Sequence, residues 1–348
     1  MQSGNFKQSF VEQLALTDSP ALRAWYAVVV LVMVALPFVA TPYMIGFFTT
    51  ILFTLVGVLG LNVLTGFTGL VSLGHVAFLV LGGYAYAIGT VRLGLHPLLA
   101  FGLSGIVPAL CGLVVGLPSL RLKGLYLAIT TLAFTFIIYS LILAGGEFTG
   151  GGRGIAVPRP IVFGLDFSSE RALYWLCLVV VLATLMGVLN IRRSKLGRAF
   201  MAIRDNDRAA VSMGISLTRY KLLAFLISSF LTGLSGALMV LFINLANVEG
   251  FPFLLSIEAV AILIVGGIGS VLGVVIGTVF IVSLPELSSQ LLGAVSAVTG
   301  WHLNSAALEI KGILYGAAIV GFLLLDPRGL VGLWIDFKRL WVSRPLRY

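Results

Sequence analysis

Long apolar runs, separated by short polar or glycine-rich breaks, set the pattern of this chain. No Asp, Glu, Lys or Arg occurs between residues 24 and 91, and further charge-free stretches cover 93–120, 124–146, 172–191, 222–248, 259–285 and 312–325. A helix needs roughly 20 apolar residues to cross a bilayer, and only helices and closed barrels satisfy their backbone there. The runs lack the alternation of a barrel strand, so they predict helices. Thr41-Pro42 ends a first span and Thr65-Gly66-Phe67-Thr68-Gly69 a second, while a third begins near Leu70 and closes before Arg92. Later spans cover roughly 97–117, 125–144, 172–190, 222–243, 253–265, 271–284 and 312–325. The expected fold is all-α, a polytopic transmembrane helical bundle of about ten spans, or as few as eight where short runs merge.

Composition agrees. Of 348 residues, 59% are hydrophobic and 10% charged, against about 25% charged in soluble domains. Such a chain would aggregate in water, so lipid is its solvent. The net charge of +9 would suggest nucleic acid in a soluble protein. Here its distribution points to membrane orientation instead. With the N-terminus inside, 17 Lys and Arg fall in inside segments and 5 in outside ones, a bias that orients a membrane protein. The expected layout is an inside segment 1–23, a membrane domain 24–325 with an outside loop 145–171 and an inside loop 191–221, and an inside basic tail 326–348. Phe6, Phe10 and Leu14 recur at helical spacing beside Lys7 and Glu12. That fits a short helix on the membrane surface and, equally, a tail without fixed structure. Cys111 and Cys177 sit in apolar runs and read as small core residues.

Two segments depart from the apolar background. The first is the inside loop. Asp205 or Asn206 can cap a short helix there, Arg208, Ala209 and Ala210 follow, and Gly214 suits a left-handed stop. Ala209 and Ala210 are small enough to let another protein surface approach. A basic anchor on lipid headgroups is the plainer reading. The second is a pair of glycine-interrupted runs, one through Asn62, Gly66, Ser72, Gly74 and His75, the other through Gly266, Gly267, Gly269 and Ser270. Interrupted helices in opposite halves of a chain point to a transport path. Close helix packing through small residues explains them as well. Gly269-Gly273-Gly277, Gly112-Gly116 and Gly312-Gly316 repeat every four residues and read as packing. His75 at membrane depth is either functional or bonded to a backbone carbonyl freed at the break, and Glu258 reads in the same two ways.

No G-x-x-x-x-G-K-[ST], H-E-x-x-H, G-x-S-x-G or intramembrane carboxylate pair is present. The chain therefore has no phosphate-binding loop of that kind, and intramembrane catalysis and proton coupling have little to work with. Energy for active transport would come from another polypeptide.

Several stretches resemble the branched-chain amino acid permeases of ATP-binding-cassette (ABC) importers. They are Leu61-Asn62-Val63-Leu64-Thr65-Gly66 running into Ser72-Leu73-Gly74-His75-Val76-Ala77-Phe78, and Gly124-Leu125-Tyr126-Leu127-Ala128. Ser194-Lys195-Leu196-Gly197-Arg198, Ala202-Ile203-Arg204-Asp205-Asn206, Gly266-Gly267-Ile268-Gly269-Ser270 and Asp326-Pro327-Arg328-Gly329-Leu330 continue the match. The longer, LivM-type subunit of the permease pair is the better fit. The resemblance implies an importer-permease fold with interrupted helices in a bacterial inner membrane, both termini cytoplasmic. It implies a heterodimer with a second permease, two ATPase subunits that carry the ATP and magnesium, and a periplasmic solute-binding protein. No cofactor would be bound by this chain. Asp205, Asn206, Arg208, Ala209, Ala210 and Gly214 would form the coupling helix. Leu70 departs from the family, which often has Gln there. Arg208 stands where an acid precedes Ala-Ala in the broader coupling motif. Related permeases serve urea, amides and other small carboxylates. A sugar or nucleoside permease, an ion-coupled transporter and a membrane enzyme are the competing classes.

Overall fold

The computed structural model describes residues 20–120, 122, 124–162, 165–167, 169–299, 307–325 and 329–332. The surface-helix expectation for 1–23 and most of the basic tail lie outside them. Helix α1 is Pro20–Val39 and α2 is Pro42–Leu61, prolonged by a π-helical stretch Asn62–Phe67. Helix α3 is His75–Ala87, followed by another π-helical stretch, Ile88–Arg92. Next come α4 (Pro97–Ser119), α5 (Leu125–Ala144), the single turn α6 (Gly146–Thr149) and α7 (Glu170–Arg193). Two surface helices, α8 (Lys195–Asp205) and α9 (Asp207–Ser212), precede α10 (Leu217–Ile243). Helices α11 (Leu254–Gly266), α12 (Val271–Thr299) and α13 (Ala307–Leu325) follow, and residues 329–332 are helical as well.

Each expected span carries a helix. Among the described residues, however, six helices are long and apolar enough to cross a membrane, and a count of ten does not follow from them. The expected third span also starts late, since the chain from Thr68 to Gly74 is not helical and α3 begins at His75. The fold is not purely helical either. Strands β1 (Ile155–Ala156), β2 (Ile161–Val162), β3 (Leu165–Asp166) and β4 (Leu245–Ala246) form two antiparallel pairs, β1 with β4 and β2 with β3. Two-residue strands leave no periodicity to read. Ile155 opposite Ala246 joins the 145–171 loop to the end of α10.

Local chemistry explains the helix ends. The Thr41 hydroxyl accepts from the Met44 amide at 3.4 Å ahead of Pro42. Helix α7 opens on Ser169, whose hydroxyl accepts from the Ala172 amide at 3.2 Å, and carries Arg192 and Arg193 in its last turn, where the helix dipole favours cations. Asn244 ends α10 in the left-handed region at φ 62°.

The core is built around α10, which packs against α4, α3 and α2. Lipid offers no hydrophobic drive between helices, so close backbone approach and dispersion hold them together. A Cβ on Gly233 would lie 2.1 Å from the Ser104 carbonyl oxygen, and one on Gly236 would lie 2.0 Å from that of Leu79. Gly112 and Gly116 meet Ser229 and Leu222 of α10 in the same manner. Gly312 and Gly316, expected to pack, have nothing within 4 Å of an added Cβ among the described residues. The apolar window of α2 is 67% buried and that of α5 33%. On α5, Leu125, Tyr126, Ile129, Phe136, Ile137 and Leu141 point outward, as suits a lipid-facing helix.

Candidate functional site

The two interrupted runs meet. Asn62 is fully buried in the π-helical end of α2, and its Oδ1 accepts from the Gly269 amide at 3.0 Å. A Cβ on Gly66 would lie 2.0 Å from that Asn62 oxygen and 2.8 Å from the Gly269 nitrogen. Gly267 and Gly269 carry φ of 112° and 82°, where a side chain is strained. Ser270 Oγ accepts from the Gly273 amide at 3.1 Å and so caps α12. Gly266 and Gly273 lie back to back, their added Cβ atoms 2.1 and 2.4 Å from each other's carbonyl oxygens. Of the repeat expected to pack helices, Gly273 and Gly277 do pack α12 on α11, while Gly269 belongs to the break.

The first break is longer and is held by side chains. Thr68 Oγ1 donates to the carbonyls of Val63 and Leu64, and Thr65 Oγ1 to that of Leu70 at 3.0 Å. The Leu73 amide donates to Thr131 Oγ1 at 3.0 Å, the Gly74 amide to Ser72 Oγ at 3.2 Å and the Val76 amide to Ser256 Oγ at 3.1 Å. Backbone at membrane depth is thereby satisfied inside protein. Gly74 is required by closeness, since a Cβ there would lie 2.8 Å from the Thr131 carbonyl oxygen.

His75 does not bond a carbonyl at the break. Its Nδ1 lies 3.5 Å from Thr232 Oγ1, and its ring faces Gly57, where a Cβ would stand 3.2 Å from it. The ring lines a cavity of about 260 Å³ together with Thr50, Thr54, Ser235 and Glu258, closed by the apolar side chains of Phe53, Met239 and Phe242. Glu258 is 6% exposed, and its carboxyl interacts with Tyr315 of α13. The cavity is lined mostly by apolar side chains, with a few polar groups among them, and lies between α2, α3, α10 and α11.

The loop after α7 holds two helices where one was expected. Ser194 caps α8, its Oγ accepting from the Leu196 and Gly197 amides at 3.1 and 3.4 Å. Asn206 caps α9, its Oδ1 accepting from the Arg208 and Ala209 amides at 3.0 and 3.2 Å. Asp205 is the last residue of α8, so of the two expected caps Asn206 is the one used, and the helix runs Asp207–Ser212 with Met213 as its C-cap. Gly214 follows at φ 82°, the left-handed stop. Ala210 is fully buried, so it packs against its own chain, and Arg208, Ala209, Val211 and Met213 form the outward face. Lys221, 3% exposed, pairs with Asp207 at 3.6 Å and pins α9 to α10.

Reading the sequence missed Arg204. Its Nη1 donates to the Gly66 carbonyl at 2.9 Å, which brings the surface helices to the breaks. The signal was present: Arg204 follows Phe200 by four residues on a helix, hence on the face that Phe200 buries.

This arrangement of breaks, cavity and surface helices can be set beside known proteins. A family described as branched-chain amino acid transport system / permease component matches residues 43–323. The chain belongs to this family. It is 36% identical over 279 residues to the high-affinity branched-chain amino acid transport system permease protein LivM of Salmonella typhimurium, covering 73% of this chain and 65% of that one. LivM of Escherichia coli is 34% identical over 299 residues, 78% of this chain and 70% of that protein. A probable branched-chain amino acid transport permease protein LivH of Methanocaldococcus jannaschii is 26% identical over 299 residues, 81% of this chain and 90% of that one. No solved structure matches. The chain is thus a polytopic helical membrane protein of a permease family, with the LivM proteins among its relatives.

Proposed function

We propose that the chain is the LivM-type membrane subunit of an ABC importer that moves branched-chain amino acids across a bacterial inner membrane. It works with a second permease, two ATPases that bind ATP and magnesium, and a periplasmic solute-binding protein, and holds no cofactor itself. It spans the membrane about ten times with both termini in the cytoplasm; 145–171 is periplasmic, and 191–221 is the coupling loop. The observation that carries this reading is the junction of the two interrupted helices, 3.0 Å from Asn62 Oδ1 to the Gly269 amide, in direct contact with the surface helix α8. Such a joint lets a push on α8 and α9 reach the path, because packed contacts shift between discrete arrangements. Asn62, Ser72, Gly74, His75, Gly266, Gly267, Gly269 and Ser270 border that path, and the Glu258 cavity lies along it. Asp205, Asn206, Arg208, Ala209, Ala210 and Gly214 shape the coupling helix, with Val211 and Met213 as its apolar contacts.

The test is reconstitution. Proteoliposomes holding the whole complex should accumulate radiolabelled leucine only with ATP on the coupling-loop side and binding protein on the other. Val211→Asp with Met213→Asp should abolish co-purification of the ATPases. Accumulation driven by an ion gradient without ATP would overturn the importer reading. ATP-driven uptake of urea or an amide in place of leucine would change the substrate.

A further inference from the structure

We propose that Arg204 is the positioning residue that locks the two helix breaks together and releases them when α8 and α9 move. The proposal rests on the permease reading above. Arg204 enters a notch made by three glycines. Its Nη1 donates to the Gly66 carbonyl at 2.9 Å. A Cβ on Gly269 would lie 2.8 Å from that same Nη1, and one on Gly69 would lie 2.9 Å from Arg204 Cγ. Gly69 and Gly269 also hold φ of 72° and 82°. Any side chain at these positions would push the arginine out, so the notch is shaped to it.

The charge is well placed. The Gly66 carbonyl lies at the C-terminal end of α2, where partial negative charge gathers and a cation is stabilised. A hydrogen bond from an ionised donor is stronger than a neutral one. The guanidinium does not enter alone, since Nε lies 3.3 Å from Asp205 Oδ1 and the arginine side chain is 38% exposed. Nη1 therefore faces the break and Nε faces Asp205. Lysine, a point charge on a flexible stem, cannot serve both directions at once. A headgroup anchor would point its charge at the lipid surface, whereas this one turns into the protein.

Both ends of the tie are firm. Phe200 and Ile203 bury α8, and Phe200 meets Tyr220 of α10 edge to face. On the far side of the junction, Gly329 seats against the second break; a Cβ there would lie 2.6 Å from the Gly267 nitrogen. Moving α8 therefore withdraws a cation that is bonded to the first break and packed beside Gly269 of the second.

The experiment uses the full complex in proteoliposomes, with Cys111 and Cys177 replaced by alanine and Val265→Cys as a buried reporter beside the second break. Without nucleotide, Arg204→Ala should speed labelling of residue 265 by an impermeant maleimide about tenfold, the effect on local opening of losing one hydrogen bond to a charged group. Arg204→Lys should fall between. Leucine moved per ATP hydrolysed should drop in the same order. Unchanged labelling and an unchanged ratio would overturn the proposal and leave Arg204 as a surface anchor. Failure of both variants to assemble would overturn it too, making Arg204 a folding residue. Labelling can be read even if the wild-type complex moves no leucine, so failure of the permease reading and failure of this one are distinguishable.

Discussion

The two helix breaks solve one problem in different ways. Between Thr68 and Gly74 the chain leaves its helix for seven residues, and hydroxyls of Thr65, Thr68, Ser72, Thr131 and Ser256 take up the freed backbone groups. Between Gly267 and Ser270 only four residues leave the helix; Asn62 and Ser270 each take up one amide there, and the flanking Gly266 and Gly273 press backbone on backbone. A break stitched by hydroxyls can lose a stitch and keep its shape. A break made by contact has no slack, because a methyl group has nowhere to go. The first is therefore suited to yield and the second to act as a fixed bearing.

Substitutions can break this comparison, the largest effects at the rigid break. Gly266→Leu places carbon where the Gly273 carbonyl stands, 2.1 Å from an added Cβ. Overpacking of this kind costs about 3 kcal/mol or more, and folded protein should be lost in a thermal stability assay in detergent. Gly69→Val puts a β-branched residue at φ 72° and should cost about 2 kcal/mol, seen as a lower unfolding midpoint in purified protein. Thr131→Val leaves the Leu73 amide without its acceptor. The expected cost is about 1.5 kcal/mol, with hydrogen exchange faster at 70–74 and unchanged at 267–270. Equal damage from Thr131→Val and Gly266→Leu would erase the distinction. Gly316→Ala is the control, since among the described residues nothing lies within 4 Å of an added Cβ. It should add about 0.5–1 kcal/mol of helix propensity, seen as a slightly higher midpoint.

The helices were legible because a bilayer imposes a simple code, apolar runs punctuated by charge. The caps at Asn206 and Gly214 were legible too, because they use side chains with known local chemistry. The junction of Asn62 with Gly269 was not, since 207 residues separate the partners and neither residue names the other. Ala210 was read as an outward surface because small residues suit contacts, but whether such a contact lies within the chain or beyond it depends on the rotation of a six-residue helix. The strand pairs were invisible for want of length. Arg204 hid among the loop's other basic residues, where positive charge had already been explained by orientation.

Helix α10 gives the molecule a mechanical axis. Its 27 residues make a rod about 40 Å long at 1.5 Å per residue. One end is fastened to α9 by the Lys221–Asp207 pair, and the other runs into β4, zipped to β1. Pivoting near Gly233, a tilt of about 5° would carry the Leu217 tip by about 2 Å and the Ile243 tip by about 1.3 Å the other way. Such a rod works as a lever with its fulcrum in the glycine-packed crossings with α3 and α4. A small torque at the α9 end of the rod would then emerge at the other end as a displaced strand, without any helix having to unwind.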